Sequence, residues 1–366
     1  MTIAFREAPA KREVAAELEQ AREATLRLLE PLDDDLLVAQ VSPLMSPLVW
    51  DLAHIGWFEE LWLVRRLGGK TVLEGFDELY DAFRHDRAER SSLPILSPAE
   101  ARAYVGRVRA ESLRLLEDVA FDDDPLLRDA YVYGLVVQHE LQHQETMLQT
   151  IRLSGVEYPA PRVELPAPAG DVLVPAGPFT LGSDEPWAYD NERPAHVVEL
   201  PAFRIERDPV TNERFSRFVE EGGYRKRAFW SEDGWRWLQS EQDWQHRPSA
   251  GPSSAPVQHV SFYEAEAVAA WAGKRLPTEA EWEKAAREHG HAPLVWEWTS
   301  SAFTGYPGFE AFPYREYSEV FFGNDYRVLR GGSWATDPLV ARVTFRNWDL
   351  PQRRQIFSGV RLAVDA

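Results

Sequence analysis

His139 and His143 stand four residues apart in QHELQHQET. On a helix, that spacing sends two imidazoles from one face, a turn apart, toward a single metal ion. His54, in WDLAHIGWFEE, is the natural third donor. Taken singly, a histidine on an otherwise apolar face is more often a satisfied core residue. Helical bundles, however, hold metals through inward side chains of neighbouring helices. Three neutral imidazoles leave positions open on the ion, which suits either zinc-bound water or a ferrous site awaiting substrate and dioxygen. Spacing does not choose between these metals. The same stretch also spells H-E-x-x-H, with Glu140 where a zinc peptidase has its general base. That reading wants a downstream third ligand, and the next histidine, His196, falls beyond a Pro-rich stretch.

Four helices are needed to position such a site, and the first half supplies them. Val14, Leu18, Ala21, Leu28 and Leu29 form one helical stripe. A second helix starts at Ser46-Pro47 and runs through His54 to Gly68-Gly69. Ser97-Pro98-Ala99-Glu100 caps a third, and a fourth begins near Pro125 and ends at Ser154-Gly155. The join from about Lys70 to Pro98 is too long to be connection alone. Residues 158–170 are a Pro-rich linker. Beyond it, β-type runs (DVLVPAGPFTLG, HVVELPAFRIE, YRVLRGGSW, FSGVRLAV) alternate with turns, interrupted by one clear helix over Ser261–Ala272 and a following KRLPTEAEWEKAAR segment. The expected fold class is α+β: a helical bundle over residues 1–157 joined to an irregular α+β domain over residues 171–366.

Composition narrows the chemistry. Net charge is −19, which argues against a nucleic-acid partner while allowing local Arg pairs to bind an acidic small molecule. With no cysteine there are no disulfides, thiolate ligands or cysteine nucleophile. Neither a signal-peptide core nor a membrane-spanning window occurs, so a soluble cytoplasmic protein is expected.

The segments SPLMSPLVWDLAHIGWFEELW, HDRAER, QHELQHQETM and LRGGSWATDP…FRNWDLPQRRQIFSGVRLA together closely resemble the sulfoxide synthases of ergothioneine biosynthesis (the hercynine oxygenases). Those enzymes couple a DinB-like four-helix bundle to a formylglycine-generating-enzyme-like domain of C-type-lectin type. The stretches DNERPAHVVELPAFRI, PVTNERF, PVQHVSFYEAEAVAAWAGKRLPTEAEWEKAA and VWEWTSS look like the latter. The resemblance covers nearly the whole chain. It implies a non-haem iron(II) enzyme that uses dioxygen to join the thiol of γ-glutamylcysteine to C2 of hercynine, giving a sulfoxide. It carries the iron onto His54, His139 and His143. Arg87 and Arg90 match the pair that holds the γ-glutamylcysteine carboxylates, a task suited to guanidinium forks. Asn347, Trp348, Asp349 and Arg353 match substrate contacts: Asp349 for an ammonium, Arg353 for a carboxylate, Trp348 for the trimethylammonium as a cation–π partner. Gln142 matches a residue near hercynine, Tyr317 a hercynine-pocket residue and Tyr314 the proton donor.

One departure is plain. The family usually carries several tens of residues between the EWEKAA helix and VWEWTSS, where here only REHGHAPL intervenes. None of the residues named above is lost. Alternatives are a synthase using cysteine or a selenium donor, a zinc hydrolase, and a non-enzymatic partner-binding protein.

Overall fold

A computed structural model of the chain describes residues 9–122, 124–159, 161, 163–165, 170–241 and 251–366. Part of the Pro-rich linker (160, 162 and 166–169) lies outside the described residues. The chain divides into two compact units: residues 1–158 with 185–187, and residues 159–184 with 188–366.

In the first unit the apolar stripe of the N-terminal segment forms α1 (Lys11–Leu29), with Val14, Leu18, Ala21, Leu28 and Leu29 buried. A short α2 (Asp34–Val38) precedes α3 (Leu48–Glu59), which carries His54. The second helix does not stay regular to Gly68. It widens into a π-helical turn over Glu60–Arg65, where the Arg66 amide reaches back to the Leu61 carbonyl. Glu59 and Glu60 are both fully buried there, each with cationic or hydroxyl partners. The long join holds α4 (Asp77–Tyr80) and a 3-10 turn over Arg87–Ser92. α5 (Pro98–Asp118) starts with the expected reciprocal cap: Ser97 Oγ accepts from Glu100 N–H, and Glu100 accepts from Ser97 N–H.

α6 (Tyr131–Leu153) starts six residues later than Pro125 suggests. Asp129 and Ala130 occupy the left-handed region at φ 54° and 56°, which no α-helix continues through. In the assembled bundle α3 lies against both α5 and α6, and α1 against α6. No helix among the described residues is long and apolar enough to cross a membrane.

Among its described residues the second unit has three small sheets. β1 (Asp171–Val174), β4 (Phe203–Glu206) and β9 (Ala363–Asp365) form one, ordered β1-β4-β9 and antiparallel throughout. β2 (Gly177–Leu181) pairs with β3 (His196–Leu200). β5 (Trp296–Ala302), β6 (Arg327–Arg330), β7 (Asn347–Asp349) and β8 (Ser358–Gly359) make the third, ordered β7-β6-β5-β8, with β5 and β8 parallel.

The expectation of one clear helix plus the EWEKAA segment undercounts this unit. Besides α9 (Phe262–Trp271) and α10 (Glu279–His289), it contains α7 (Asn212–Glu220) and α8 (Glu232–Ser240). Both extra helices announce themselves only by their caps: Thr211 accepts from Arg214 N–H and Ser231 from Gly234 N–H. Val172, Val174, Phe203, Ile205, Ala285 and Ala363 form a core between the first sheet and α10.

Candidate metal centre and substrate-contact residues

α3 and α6 bring His54, His139 and His143 together, with one ring nitrogen of each lying within 4.8 Å of the others. Nε2 of His54 and Nε2 of His139 are 3.2 Å apart, within hydrogen-bond reach of each other. Each ring is held from behind. His54 lies stacked on Trp50, centroids 4.8 Å apart, one turn earlier on α3, and His139 lies on Phe58 at 3.8 Å. His54 donates its Nδ1–H to the Tyr80 carbonyl at 2.7 Å, which leaves Nε2 with its lone pair. Burial and the neighbouring His143 push the His54 pKa well below its usual value, and burial does the same for His139. These rings are neutral donors at neutral pH.

His143 has a different support. Its Nδ1 lies 3.3 Å from Oδ1 of Asp51, a carboxylate only 1% exposed; among the described residues neither that Nδ1 nor Asp51 Oδ2 has a hydrogen-bond partner. Three ring nitrogens converging on one point, with the Tyr80 carbonyl behind one ring and the Asp51 carboxylate 3.3 Å from another, fit a divalent metal ion. Asp51→Ala is therefore expected to weaken metal binding about 10- to 100-fold, with Asp51→Asn falling between it and the parent. Competition against a chromophoric chelator reads this directly. An unchanged affinity in Asp51→Ala would reduce Asp51 to a buried bystander.

The loop between α3 and α5 is fastened to the same site. Trp50 Nε1 donates to the Leu79 carbonyl, and the Tyr80 hydroxyl accepts from Leu96 N–H. Arg90 is buried, its guanidinium 3.7 Å above the Trp50 ring, with donors to Ser46 Oγ and the Ala82 and His85 carbonyls. Burial lowers its pKa to about 10, so it stays charged. Arg87 is exposed and donates to the Leu44 carbonyl. Gln142 is half-buried beside His143, bonded back to the Gln138 carbonyl.

Glu140 faces elsewhere. It is 1% exposed, and both oxygens are committed: Arg22 and Thr25 to Oε1, Arg22 and Arg109 to Oε2. Glu59 closes the cluster by accepting from both arginines. Each of α1, α3, α5 and α6 gives one charge to this lock. A carboxylate so held is not free to take a proton from metal-bound water, so the H-E-x-x-H pattern here has no general base.

In the second unit, Tyr314 is half-buried and Tyr317 buried, their rings edge-to-face at 6.3 Å. Tyr317 stacks on Tyr189 at 4.3 Å and meets the Trp348 edge at 5.8 Å. Burial, with the Tyr189 phenol next in weight, raises the Tyr317 pKa well above its usual value. One face of Trp348 lies on Phe303 at 4.2 Å. β7 places Trp348 opposite Val328, with Asn347 and Asp349 flanking it. Asp349 and Arg353 approach each other at 3.6 Å, both about one-fifth exposed. The first unit thus gathers the three histidines with Gln142, and the second gathers Tyr314, Tyr317 and Trp348. Sequence reasoning missed Asp51, the Tyr80 carbonyl, the four-charge lock and Tyr189.

The DinB superfamily matches residues 17–147, and the sulfatase-modifying factor enzyme 1-like domain matches residues 159–293 and 294–366. Over its whole length the chain is similar to hercynine oxygenases. It is 47% identical to that of Mycobacterium tuberculosis, the match covering 96% of this chain and 99% of the relative. It is 46% identical to that of Mycolicibacterium thermoresistibile, over 98% and 96%. Against the formylglycine-generating enzyme of Thermomonospora curvata the identity is 38%, over 30% of this chain.

The first of these alignments runs to 427 positions, more than the chain's 366 residues, so several tens of its columns hold no residue of this chain. The break in the domain match, between Pro293 and Leu294, falls in the REHGHAPL join. A cavity of about 400 Å³ opens beside that join, lined in part by Trp282, His291 and Arg361, and touches none of the candidate residues.

Proposed function

The chain belongs to the hercynine oxygenase family, and from that premise we propose that it is an iron(II)- and dioxygen-dependent sulfoxide synthase joining γ-glutamylcysteine to C2 of hercynine. The observation that carries this reading is the convergence of His54, His139 and His143 from two helices. Ferrous iron, if held by these three histidines, would activate dioxygen, the electrons for its reduction coming from the substrates. The balance closes without an outside reductant: thiol, imidazole C–H and O₂ give the C–S(O) product and water. Forming the C–S bond releases two electrons and forming the sulfoxide two more, which together match full reduction of dioxygen.

The chain's own residues bind and orient. Arg87 takes a carboxylate of γ-glutamylcysteine from its exposed position, and Arg90, its plane fixed over Trp50, takes the other by exchanging one of its bonds to Ser46 or the Ala82 and His85 carbonyls. Asp349 takes an ammonium and Arg353 a carboxylate, an exchange favoured because their own pairing is loose at 3.6 Å. Trp348 offers an indole face to the trimethylammonium of hercynine, with Asn347 next to it on β7 and Tyr317 against its ring; Gln142 is a further hercynine contact. Tyr314 holds a proton at its phenol oxygen for delivery during turnover. The reaction's small soluble substrates suit a cytoplasmic setting.

Anaerobic ferrous reconstitution followed by oxygen-uptake measurement tests the reading. Uptake should require hercynine and γ-glutamylcysteine together and yield one sulfoxide per O₂; uptake independent of hercynine would sink it. A higher kcat/KM with free cysteine would move the donor assignment to the cysteine-using alternative. Tyr314→Phe should keep the iron and consume oxygen, but turn toward oxidising the thiol alone. Product analysis showing an unchanged sulfoxide yield would remove Tyr314 from the proton-donor role.

A further inference from the structure

Tyr314 sits on a segment that no sheet ladder secures. Around it run two 3-10 turns, Arg315–Tyr317 and Glu319–Phe321. Something must hold the phenol in place, because a proton donor works only within hydrogen-bond reach of its target. The four consecutive residues Tyr189–Glu192 do this. Asp190 is 2% exposed and grips the segment at both ends: Oδ2 accepts from Phe312 N–H at 3.2 Å, and Oδ1 accepts from the Ser318 hydroxyl at 2.5 Å. Those two partners lie two residues before Tyr314 and four after it. Asn191 adds a second bond to the Ser318 oxygen through Nδ2 at 3.0 Å. Tyr189 stacks on Tyr317.

The clamp is itself anchored to the chain leading into β7. The Asn191 carbonyl accepts from Arg346 Nη1 at 2.7 Å, and Glu192 accepts from Arg342 and Thr344. One turn therefore registers the tyrosine segment against the strand that carries Trp348.

We propose that Asp190 is a positioning residue for Tyr314, setting the phenol's place by holding Phe312 and Ser318 at once; this rests on the proton-donor reading of Tyr314. A carboxylate is the group for the task because its two oxygens accept independently. An amide of the same shape has one acceptor, so it keeps the Phe312 N–H and can hold Ser318 only with the bond reversed, donating to a hydroxyl that already accepts from Asn191.

Asp190→Asn thus tests the carboxylate at constant shape, and Ser318→Ala, which deletes the hydroxyl held by both Asp190 and Asn191, tests the same arm from its other end. Both are compared with the parent and Tyr314→Phe after ferrous reconstitution, by sulfoxide formed per O₂, by KM for each substrate, and by hydrogen exchange of a peptide spanning residues 312–321. The expected result for Asp190→Asn is faster exchange confined to that peptide and a sulfoxide yield per O₂ roughly tenfold lower, below the ~100-fold loss that a full ~1 Å misplacement can bring. Oxygen uptake persists, and KM values stay within about twofold of the parent. Ser318→Ala moves the same readouts in the same direction.

Parent-like yield and exchange in Asp190→Asn would overturn the proposal. So would a proportional loss of yield, uptake and substrate binding, which marks a merely structural role. If the parent itself shows no hercynine-dependent uptake, the functional reading fails instead; unchanged exchange in both variants then separately rejects the clamp.

Discussion

Glu140→Ala should destabilise the helical unit by about 3–5 kcal/mol, because it leaves two buried arginines facing a single buried carboxylate. Arg22 and Arg109 are 5% and 6% exposed, and Glu59 and Glu140 are at most 1% exposed, so water cannot take over the missing charge. The loss is a large share of the 5–15 kcal/mol that a domain typically has. Chemical denaturation of the metal-free protein measures it, and Glu140→Gln should cost less because the amide oxygen still accepts from an arginine.

The pH dependence has a definite sign. Burial alone would raise the Glu140 pKa, but Arg22 and Arg109 hold it below the usual value. Its linked stability is then present above the unfolded value of about 4.3 and lost as pH falls through the lower folded value. In that acidic window the Glu140→Gln protein should show a flatter stability curve than the parent. A zinc hydrolase with Glu140 as base predicts the opposite pattern: lost turnover with stability intact. That outcome would return the H-E-x-x-H reading to favour.

The histidines were legible because their chemistry is written in short-range spacing. His139 and His143 share a helix face at four-residue separation, and His54 lies on a helix whose start at Ser46-Pro47 is marked. Their supports were not legible in the same way. Asp51 lies one turn before His54 on α3, so spacing alone would pair those two. Instead it reaches across to His143, while His54 takes a backbone carbonyl from α4, which no side-chain pattern records. Asp190 bonds residues 122 and 128 positions away, a separation at which one sequence carries no pairing signal.

Local exceptions account for the misplaced boundaries. The π-turn at Glu60–Arg65 lets two adjacent glutamates both point inward, which a 3.6-residue period does not predict. The delayed start of α6 follows from two non-glycine residues in the left-handed region, which local preference disfavours and tertiary packing imposes. β7 is three residues long and reads as tail until its pairing with β6 is known.

His54→Ala should abolish stoichiometric metal binding, and with it all hercynine-dependent oxygen uptake. Two imidazoles on one helix remain, but the ion loses the ligand that α3 supplies. The fall in affinity should exceed the 10- to 100-fold cost of losing an outer partner such as Asp51. The variant also leaves a gap between Trp50 and Trp57, both of which stack on the His54 ring. A cavity of this kind costs some stability on its own. Denaturation of the metal-free parent and variant measures that cost, and metal titration under native conditions measures the rest. The two contributions separate because the first is present without metal and the second grows with metal concentration as binding stabilises the native state. If the variant kept one tightly bound iron and parent-like coupled uptake, His54 would be a core histidine satisfied by the Tyr80 carbonyl. The three-imidazole site, and the functional proposal built on it, would then have to be redrawn around His139 and His143 alone.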